Sequence, residues 1–344
     1  MPLFRLRWRT FFKWLAIVAV AIFLVYRALF IPRVYVWTAL KLAEWSAMNS
    51  ERVDWPTVRG RAYAKISGAK TTRETYPAIS EALRALEDNH SMIVPPLTGP
   101  GAPRMNVRYP EWKMLEGGVG YVDLPFLMGN GKMPDGRSYA RIVHDGIRDL
   151  RAQGACGWVV DLRVNSGGNM WPMLAAIGPV LGEGEAGAFV GSGRRTAWGY
   201  RGGKSLIMAN ALGHHTVVNP TPPAATLEPV AVLIGKRTAS SGEAIAIAFV
   251  GRPQTRFFGD PTWGVPTANQ SLPMVDGAWL AITVALDSDR TGKTYNGPIN
   301  PDEEVRVQWT EVRTEKDSGI PVARKWVAAQ PECAPKGKPG AAAR

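Results

Sequence analysis

Hydrophobic positions along the chain alternate between short apolar runs, typical of buried strands, and longer segments with helical spacing. The short runs are at residues 120–124, 158–162, 230–234 and 256–259. The longer segments are at 139–152, 170–181 and 244–250. Strands that alternate with helices predict an α/β fold built from βαβ units around a parallel sheet. A last hairpin, 272–274 with 279–283, is predicted around the turn Asp276-Gly277.

The part of the chain before these alternating strands and helices is predicted to be helical. Apolar residues recur at helical spacing over Tyr35–Met48 and again over about Tyr76–Asp88. We therefore expect a small N-terminal helical region over residues 35–92 and an α/β core over 93–312. The Pro- and Gly-rich stretch 98–109 is predicted to be a loop, and residues 330–344 are predicted to be a disordered tail.

The first residues have the charge pattern of an export signal or a membrane anchor. A basic segment, residues 1–13, precedes an apolar segment, 14–31, which Arg27 interrupts near its end. No Ala-x-Ala-like cleavage site follows, so the pattern favours an uncleaved anchor over a cleaved signal peptide. The positive-inside rule places the basic end in the cytoplasm. We expect a single-pass protein of the cell inner membrane with its remaining chain in the periplasm or outside the cell.

Composition narrows the function classes. The net charge is +12, but the basic residues are scattered and form no stripe, and no zinc or helix-turn-helix pattern is present, which argues against nucleic-acid binding. Neither a dinucleotide nor a phosphate-loop motif occurs, and no His, Cys or carboxylate spacing suggests a metal, so no cofactor and no metal are expected. Cys156 precedes a predicted core strand and Cys333 lies in the tail, so no disulfide is expected.

Ser240 is the strongest candidate for chemistry. It follows the apolar run 230–234 and starts a helix of small residues, where free backbone N–H groups and the helix dipole favour a developing negative charge. A serine nucleophile needs such donors beside its oxygen. The alternative is structural, because Ser240 with Glu243 three residues later also matches a capping box.

A second turn and one histidine complete the candidate chemistry. Gly167-Gly168, after the 158–162 run, lets backbone N–H groups approach a ligand closely. Of the four histidines, His90 lies in a polar turn and is the candidate base. We expect His144 on the solvated face of its helix. His214 and His215, adjacent in a loop, are poorly placed for a shared role.

Six segments together resemble the C-terminal processing (tail-specific) serine peptidases. In the family's order these segments are residues 85–91, 120–122, 160–168, 238–243, 259–264 and 289–302. The resemblance implies a crotonase/ClpP-like spiral of βαβ units with Ser240 as the nucleophile. It also implies an oxyanion hole formed by Gly167, Gly168 and the N–H of Ser241.

Two departures from the family pattern sharpen the prediction. Val265 occupies the place of the lysine that many members use as base, so the chain is similar to the tricorn-like branch, whose histidine matches His90. The acid that orients this histidine has no counterpart, because Asn296 holds its place. The segment between His90 and Val119 is also too short for the PDZ domain that processing proteases usually carry.

The function expected from this resemblance is peptide-bond hydrolysis through an acyl-enzyme, with Ser240 as nucleophile and His90 as base. The partners would be a peptide or protein substrate and the membrane, with no nucleic acid. The alternative is a non-catalytic relative of the same fold that binds a peptide, a lipid or a protein. A thioester-processing enzyme of the crotonase type is a third possibility, disfavoured by the export signal and by the serine-bearing turn.

Overall fold

The computed structural model describes residues 2–97, 107–210 and 212–334. The chain divides into two compact units, of which unit 1 comprises Met1–Arg104 with Asn269–Val284. Unit 2 comprises Met105–Ala268 with Ala285–Arg344. The hairpin that the sequence placed within the 93–312 core is thus grouped with unit 1.

The helices include those that the sequence pattern predicts and others that it did not predict. They are α1 (Pro2–Ala28), α2 (Pro32–Ser46), α3 (Trp55–Lys65), α4 (Tyr76–Leu83), α5 (Tyr139–Ala152), α6 (Met170–Leu181), α7 (Ser241–Phe249) and α8 (Gly319–Ala328). The predicted helices at 139–152 and 170–181 coincide with α5 and α6. The helix predicted to reach Asp88 ends earlier, because α4 passes into a 3₁₀ turn at Arg84–Leu86.

The strands include the predicted ones and a further group that the sequence pattern did not predict. They are β1 (Met92–Val94), β2 (Glu111–Leu115), β3 (Val119–Asp123), β4 (Gly157–Asp161), β5 (Gly184–Gly191), β6 (Arg194–Arg201), β7 (Lys204–Ile207), β8 (Leu212–Thr216), β9 (Val230–Ile234), β10 (Thr255–Gly259), β11 (Thr267–Pro273), β12 (Trp279–Asp289) and β13 (Glu303–Glu304). The loop predicted at 98–109 lies mostly outside the described residues.

Helix α1 is apolar over most of its length. Its segment Phe11–Ala28 has a mean hydropathy of 1.9, and none of it is buried within the chain. This segment is long and apolar enough to cross a membrane. It overlaps the predicted anchor at 14–31.

In the rest of unit 1, helices pack against a hairpin. Buried residues of α2, α3 and α4 form one hydrophobic cluster with Leu280 and Ile282 of the hairpin formed by β11 and the first half of β12. Asp276 in the hairpin turn accepts hydrogen bonds from the Tyr35 hydroxyl at 2.8 Å and the Tyr76 hydroxyl at 2.7 Å. These two bonds fix the turn to α2 and α4.

Unit 2 is organised by a sheet with strand order β13-β10-β9-β4-β3-β2, parallel except for β2. Its central strands are buried on both faces, as a parallel sheet requires. In β9, Val232 belongs to the cluster with α5, α6 and α7, whereas its neighbour Leu233 belongs to the cluster with α8. Alternate side chains point to opposite faces, so α5–α7 cover one face and α8 the other.

The strands β5 to β8 are the main addition to the predicted architecture. They pair antiparallel in sequence order, and β5 also pairs with the last part of β12. Two-residue turns with positive φ, Ser192-Gly193 and Gly202-Gly203, connect the first three strands. The strands themselves are rich in Gly and Arg and lack the apolar alternation that would have predicted them.

Cys156 and Cys333 form a disulfide, so the expectation that they stay unpaired is wrong. The prediction failed because it treated Cys333 as part of a flexible tail. Residues Pro331–Cys333 instead form a 3₁₀ turn directly after α8, and α8 is packed on the sheet. Residues 335–344 of the predicted tail lie outside the described residues.

Candidate active site

The loop after β9 brings Ser240 to the start of α7 in a strained conformation. Ser240 has φ 52° and ψ −124°, a backbone region that residues with a Cβ rarely adopt. Its side chain is partly exposed. Strained residues of this kind concentrate at functional sites, and a helix cap does not require the strain.

Glu243 fixes this strained turn from within the core. Its carboxylate accepts hydrogen bonds from the Ser240 N–H at 2.9 Å and from the Thr262 hydroxyl at 2.6 Å. It also accepts from the N–H groups of Gly264 at 2.8 Å and Val265 at 2.9 Å. Burial raises the pKa of Glu243, while these four bonds favour its charged form. The residue thus does more than the predicted capping box requires, because it also ties the Ser240 turn to the 262–265 loop.

The Gly167-Gly168 turn lies directly against Ser240. Both glycines have positive φ, 104° and 102°. A Cβ on Gly167 would lie 2.8 Å from the Ser240 Cβ, and one on Gly168 would lie 2.1 Å from the Leu127 carbonyl oxygen. Only glycine fits either position without displacing these neighbours.

Three hydrogen bonds join the two turns. The Ala239 N–H donates to the Asn165 carbonyl at 3.0 Å, and the Ser241 hydroxyl donates to the Gly168 carbonyl at 2.6 Å. Two residues before Ser240, the Thr238 hydroxyl donates to the Leu162 carbonyl at 2.9 Å. Within unit 2, the structure therefore brings together four of the predicted site residues, which are Ser240, Ser241, Gly167 and Gly168.

The backbone donors beside Ser240 differ in their availability. The Gly167 N–H donates to the Asn165 side-chain oxygen at 3.0 Å. The N–H groups of Gly168 and Ser241 donate to no other group among the described residues. The amides of Gly168 and Ser241 are therefore the free backbone donors of the two turns in the part of the chain that the structure describes.

His90 belongs to unit 1, in a tight turn after α4. Its N–H and that of Ser91 donate to the Asp88 carboxylate at 3.0 and 2.7 Å, and Asn89 has φ 53°. Asn269 donates from its side chain to the His90 carbonyl at 3.1 Å. The turn is an Asx-type turn, for which the sequence Asp-Asn-His-Ser is well suited. Burial lowers the pKa of His90, and the charge of Asp88 partly opposes this shift.

The side chains of His144 and His214 make hydrogen-bond and stacking contacts within unit 2. His144 is fully buried: its Nε2 bonds to the Ala175 carbonyl at 2.9 Å, and its Nδ1 accepts from the Thr221 N–H at 3.0 Å. The expectation of a solvated face is wrong, because this side chain joins α5 to α6 and to the loop before β9. His214 stacks on Trp171 with ring centroids 3.8 Å apart.

The two positions at which the chain departs from the family pattern both lie in unit 2. Val265 is buried, and its N–H shares one carboxylate oxygen of Glu243 with the N–H of Ser240. The position at which many members of the resembled family carry a lysine is therefore next to the Ser240 turn. Asn296 is exposed and lines a cavity of about 520 Å³ with Lys293 and Asp302. Within residues 2–97, 107–210 and 212–334, no group of three His, Cys, Asp or Glu side chains is arranged to hold a metal.

Comparison with known proteins decides the family. The model of peptidase family S41 matches residues 118–305, more than half of the chain. The chain belongs to peptidase family S41. This match confirms the resemblance to the C-terminal processing peptidases. It also includes both turns of the site, the one at Gly167 and the one at Ser240, whereas His90 precedes it.

Individual relatives in family S41 agree with this assignment. The chain is 29% identical over 277 residues to the nisin-resistance protein of Lactococcus lactis subsp. lactis, covering 79% of this chain and 82% of that protein. It is 28% identical over 188 residues to the chloroplastic carboxyl-terminal-processing peptidase 2 of Arabidopsis thaliana, covering 53% of this chain and 32% of that protein. A lipoprotein structure from Streptococcus agalactiae shares the fold with a TM-score of 0.67 at 23% identity, covering 86% of this chain and 96% of that one.

Sequence reasoning did not identify two residues that shape this S41 site. Asn165 is fully buried; its side chain accepts from Gly167 and donates to the Leu124 carbonyl at 2.9 Å. Thr262 accepts from the Ile299 N–H at 2.8 Å while it donates to Glu243. An Asn two residues before a glycine is a recognisable turn signal, whereas the role of Thr262 depends on long-range contacts.

The glutamine variant of Glu243 tests the importance of its four bonds. Each carboxylate oxygen accepts two donors, and the amide group of glutamine would place its own donor against two of them. We expect Glu243→Gln to lower the free energy of unfolding by about 1–3 kcal/mol. Thermal unfolding followed by circular dichroism measures this change. Glu304→Gln, at an exposed position, is the matched control, and equal stability of the two variants would contradict the prediction.

Proposed function

We propose that this chain is a serine peptidase that hydrolyses peptide bonds through an acyl-enzyme, acting as an endopeptidase or a processing peptidase. Ser240 is the nucleophile and His90 is the general base. The observation that supports this proposal most strongly is the strained backbone of Ser240, which lies beside two unused backbone N–H groups. Family membership supports it independently.

The reaction follows from the chemistry of these groups. His90 takes the proton from the Ser240 hydroxyl while the oxygen attacks the peptide carbonyl. The tetrahedral intermediate collapses when the protonated His90 gives its proton to the leaving amine, and the acyl-enzyme remains. Water, deprotonated by His90, then attacks the ester. The bond to the Ser240 oxygen breaks as His90 returns the proton to it, and the acid is released. No cofactor is needed in any of these steps.

The oxyanion of this reaction would be stabilised by two backbone amides, those of Gly168 and Ser241. Both lie within the arrangement that joins the two turns, so no large reorganisation is needed as charge develops. The N-terminal end of α7 adds its dipole at the same point. Gly167 has a different role in this proposal, because its lack of a side chain gives the substrate carbonyl room beside Ser240.

A fluorophosphonate probe tests this proposal directly. The probe phosphonylates activated serines, and we expect one modified residue, Ser240, to be found by mass spectrometry of the full chain. The non-catalytic alternative, a relative that binds a peptide, a lipid or a protein, predicts no labelling. The Lactococcus relative is named for resistance to nisin, so nisin belongs among the first compounds to test as a substrate.

We also propose an arrangement of the whole chain. The peptidase core adopts the spiral of βαβ units implied by the family resemblance and works without a PDZ domain. Residues 14–31 remain as a single anchor in the inner membrane, with residues 1–13 in the cytoplasm and the rest in the periplasm or outside the cell. The apolar, unburied segment of α1 and the basic residues before it support this topology.

Protease protection tests the topology. In spheroplasts an added protease should digest the chain after residue 31, while in sealed inverted inner-membrane vesicles this part should be protected until detergent is added. The N-terminal residue of the mature protein should lie before the apolar segment. A mature N-terminus downstream of about residue 30 would show instead that the segment is a cleaved signal peptide.

A further inference from the structure

A buried arginine connects the glycine turn of the site with the C-terminal part of unit 2. Arg163, 4% exposed, lies between the carboxylates of Asp161 and Asp317. Its Nε and Nη2 donate to Asp161 at 2.9 and 2.6 Å, and its Nη1 and Nη2 donate to Asp317 at 2.8 and 2.7 Å. A planar guanidinium held by two-point contacts on two sides has little freedom to rotate or shift.

Asp317 is itself held firmly, although it lies outside the region that the S41 model matches. Its carboxylate accepts the N–H groups of Arg313 at 2.6 Å and Gly319 at 2.9 Å, at the start of α8. Helix α8 buries three apolar side chains on the sheet, and the disulfide fixes the chain directly after it. We call residues 306–334, which contain these features, the C-terminal strap.

On its other side, Arg163 leads directly into the glycine turn. Asn165, two residues further on, accepts the Gly167 N–H with its side chain and the Ala239 N–H with its carbonyl. The backbone of Arg163 is fixed too, because its N–H donates to Asp161 at 3.0 Å. A shift of Arg163 would therefore move Asn165, and with it the position of the Gly168 amide relative to Ser240.

We propose that Asp317 is a positioning residue of this peptidase, which through Arg163 fixes the backbone of the turn Asn165–Gly168 beside Ser240. The effect on rate rests on the proposed function of Ser240, whereas the effect on the turn does not. Without the Asp317 charge, one of the two contacts to the buried guanidinium is lost, and the arginine shifts toward Asp161. The amide of Gly168 then no longer points at the developing oxyanion, and small misplacements of this kind reduce rates by up to about 10²-fold.

The test compares Asp317→Asn with Glu315→Gln in the full-length protein. Glu315 is an exposed acid on the same strap, two residues from Asp317, so it controls for the loss of one negative charge. Fluorophosphonate inactivation gives a limiting rate, kinact, and an affinity, KI. We expect Asp317→Asn to lower kinact by roughly 10- to 100-fold with little change in KI, because the turn contributes to the transition state rather than to binding.

Hydrogen exchange of the peptide that contains residues 163–168 is the second readout. We expect these amides to exchange faster in Asp317→Asn than in wild type, and to exchange at the wild-type rate in Glu315→Gln. If wild type is labelled and Asp317→Asn has wild-type kinact and exchange, the inference is wrong and the proposed function stands. If wild type is not labelled, the proposed function fails, and exchange alone decides: faster exchange supports the positioning of the turn, unchanged exchange overturns it.

Folding of the variant is checked by circular dichroism before either measurement. If Asp317→Asn does not fold, Arg163→Lys replaces it, because lysine keeps the buried charge but loses the two-sided fork. The same fall in kinact and the same faster exchange are then expected. A folded Arg163→Lys protein with wild-type kinact and exchange would overturn the inference.

Discussion

Replacing Ser240 with alanine is expected to abolish fluorophosphonate labelling and to lower peptide hydrolysis by about 10⁵- to 10⁶-fold. Alanine removes the oxygen that forms the acyl-enzyme, and the remaining groups have no nucleophile to activate. The fold should persist, since losing a cap side chain costs about 1 kcal/mol. Intact-mass spectrometry after probe treatment, together with thermal unfolding, measures both results.

The hairpin residue Ser192 provides a matched control for Ser240→Ala. Ser192 also has positive φ, 48°, but it lies in the turn between β5 and β6. Ser192→Ala therefore makes the same chemical change at another position with positive φ, and full labelling should remain. If wild type resists labelling and Ser240→Ala unfolds, Ser240 is a structural cap, and the chain is a non-catalytic member of its family.

The sequence predicted those parts of the fold that depend on local pattern. Helices α5 and α6 have clear apolar spacing and polar caps at Ser138 and Asn169, so their bounds agree with the prediction. The two turns of the site were found for a similar reason. A glycine pair after a buried strand and a serine before a run of small residues are local signals that need no tertiary information.

The missed features depend on contacts between residues that are distant in the chain. The disulfide joins residues 177 positions apart, and nothing near Cys333 indicates that α8 carries it back to the sheet. His144 was expected on the solvated face of its helix, yet its Nδ1 accepts the Thr221 N–H, 77 positions further along the chain. Arg163 and Asp317 are 154 positions apart, so their pairing gives no signal in a single sequence.

Which amides of the glycine turn are free could not be predicted for a different reason. The sequence indicates that a glycine turn can offer N–H groups, but it does not say which of them the turn itself uses. The Asn165 side chain accepts the Gly167 N–H in an Asx turn. The N–H of Gly168 then remains without an acceptor among the described residues. A side chain two residues upstream therefore decides which amide can face an oxyanion.

The identity of the base is the second prediction with a large expected effect. We expect His90→Ala to lower hydrolysis by about 10²- to 10⁴-fold. The family resemblance offers one base besides His90, a lysine at the position that Val265 occupies in this chain. The side chain of valine cannot accept a proton. His214→Ala is the matched control, because His214 stacks on an aromatic ring, and its removal should leave hydrolysis near the wild-type rate.

The pH dependence gives a separate test of the same role. His90 must be neutral to accept the proton of Ser240, so hydrolysis should rise as the pH increases through the pKa of His90. Burial lowers this pKa, with Asp88 partly opposing, so the midpoint should lie below the usual value of about 6.5. A midpoint well above that value, or hydrolysis that falls as the pH rises from about 5 to 8, would contradict the assignment.

Combining Val265→Lys with His90→Ala separates the loss of a base from the loss of structure. The Val265 and Ser240 N–H groups share one oxygen of Glu243, so a side chain at 265 starts beside the nucleophile's turn. Partial recovery of hydrolysis, with a midpoint shifted to higher pH as an amine base requires, would show that His90→Ala lacked only a proton acceptor. Full activity in His90→Ala alone would instead exclude histidine as the base and leave the activation of Ser240 to another group.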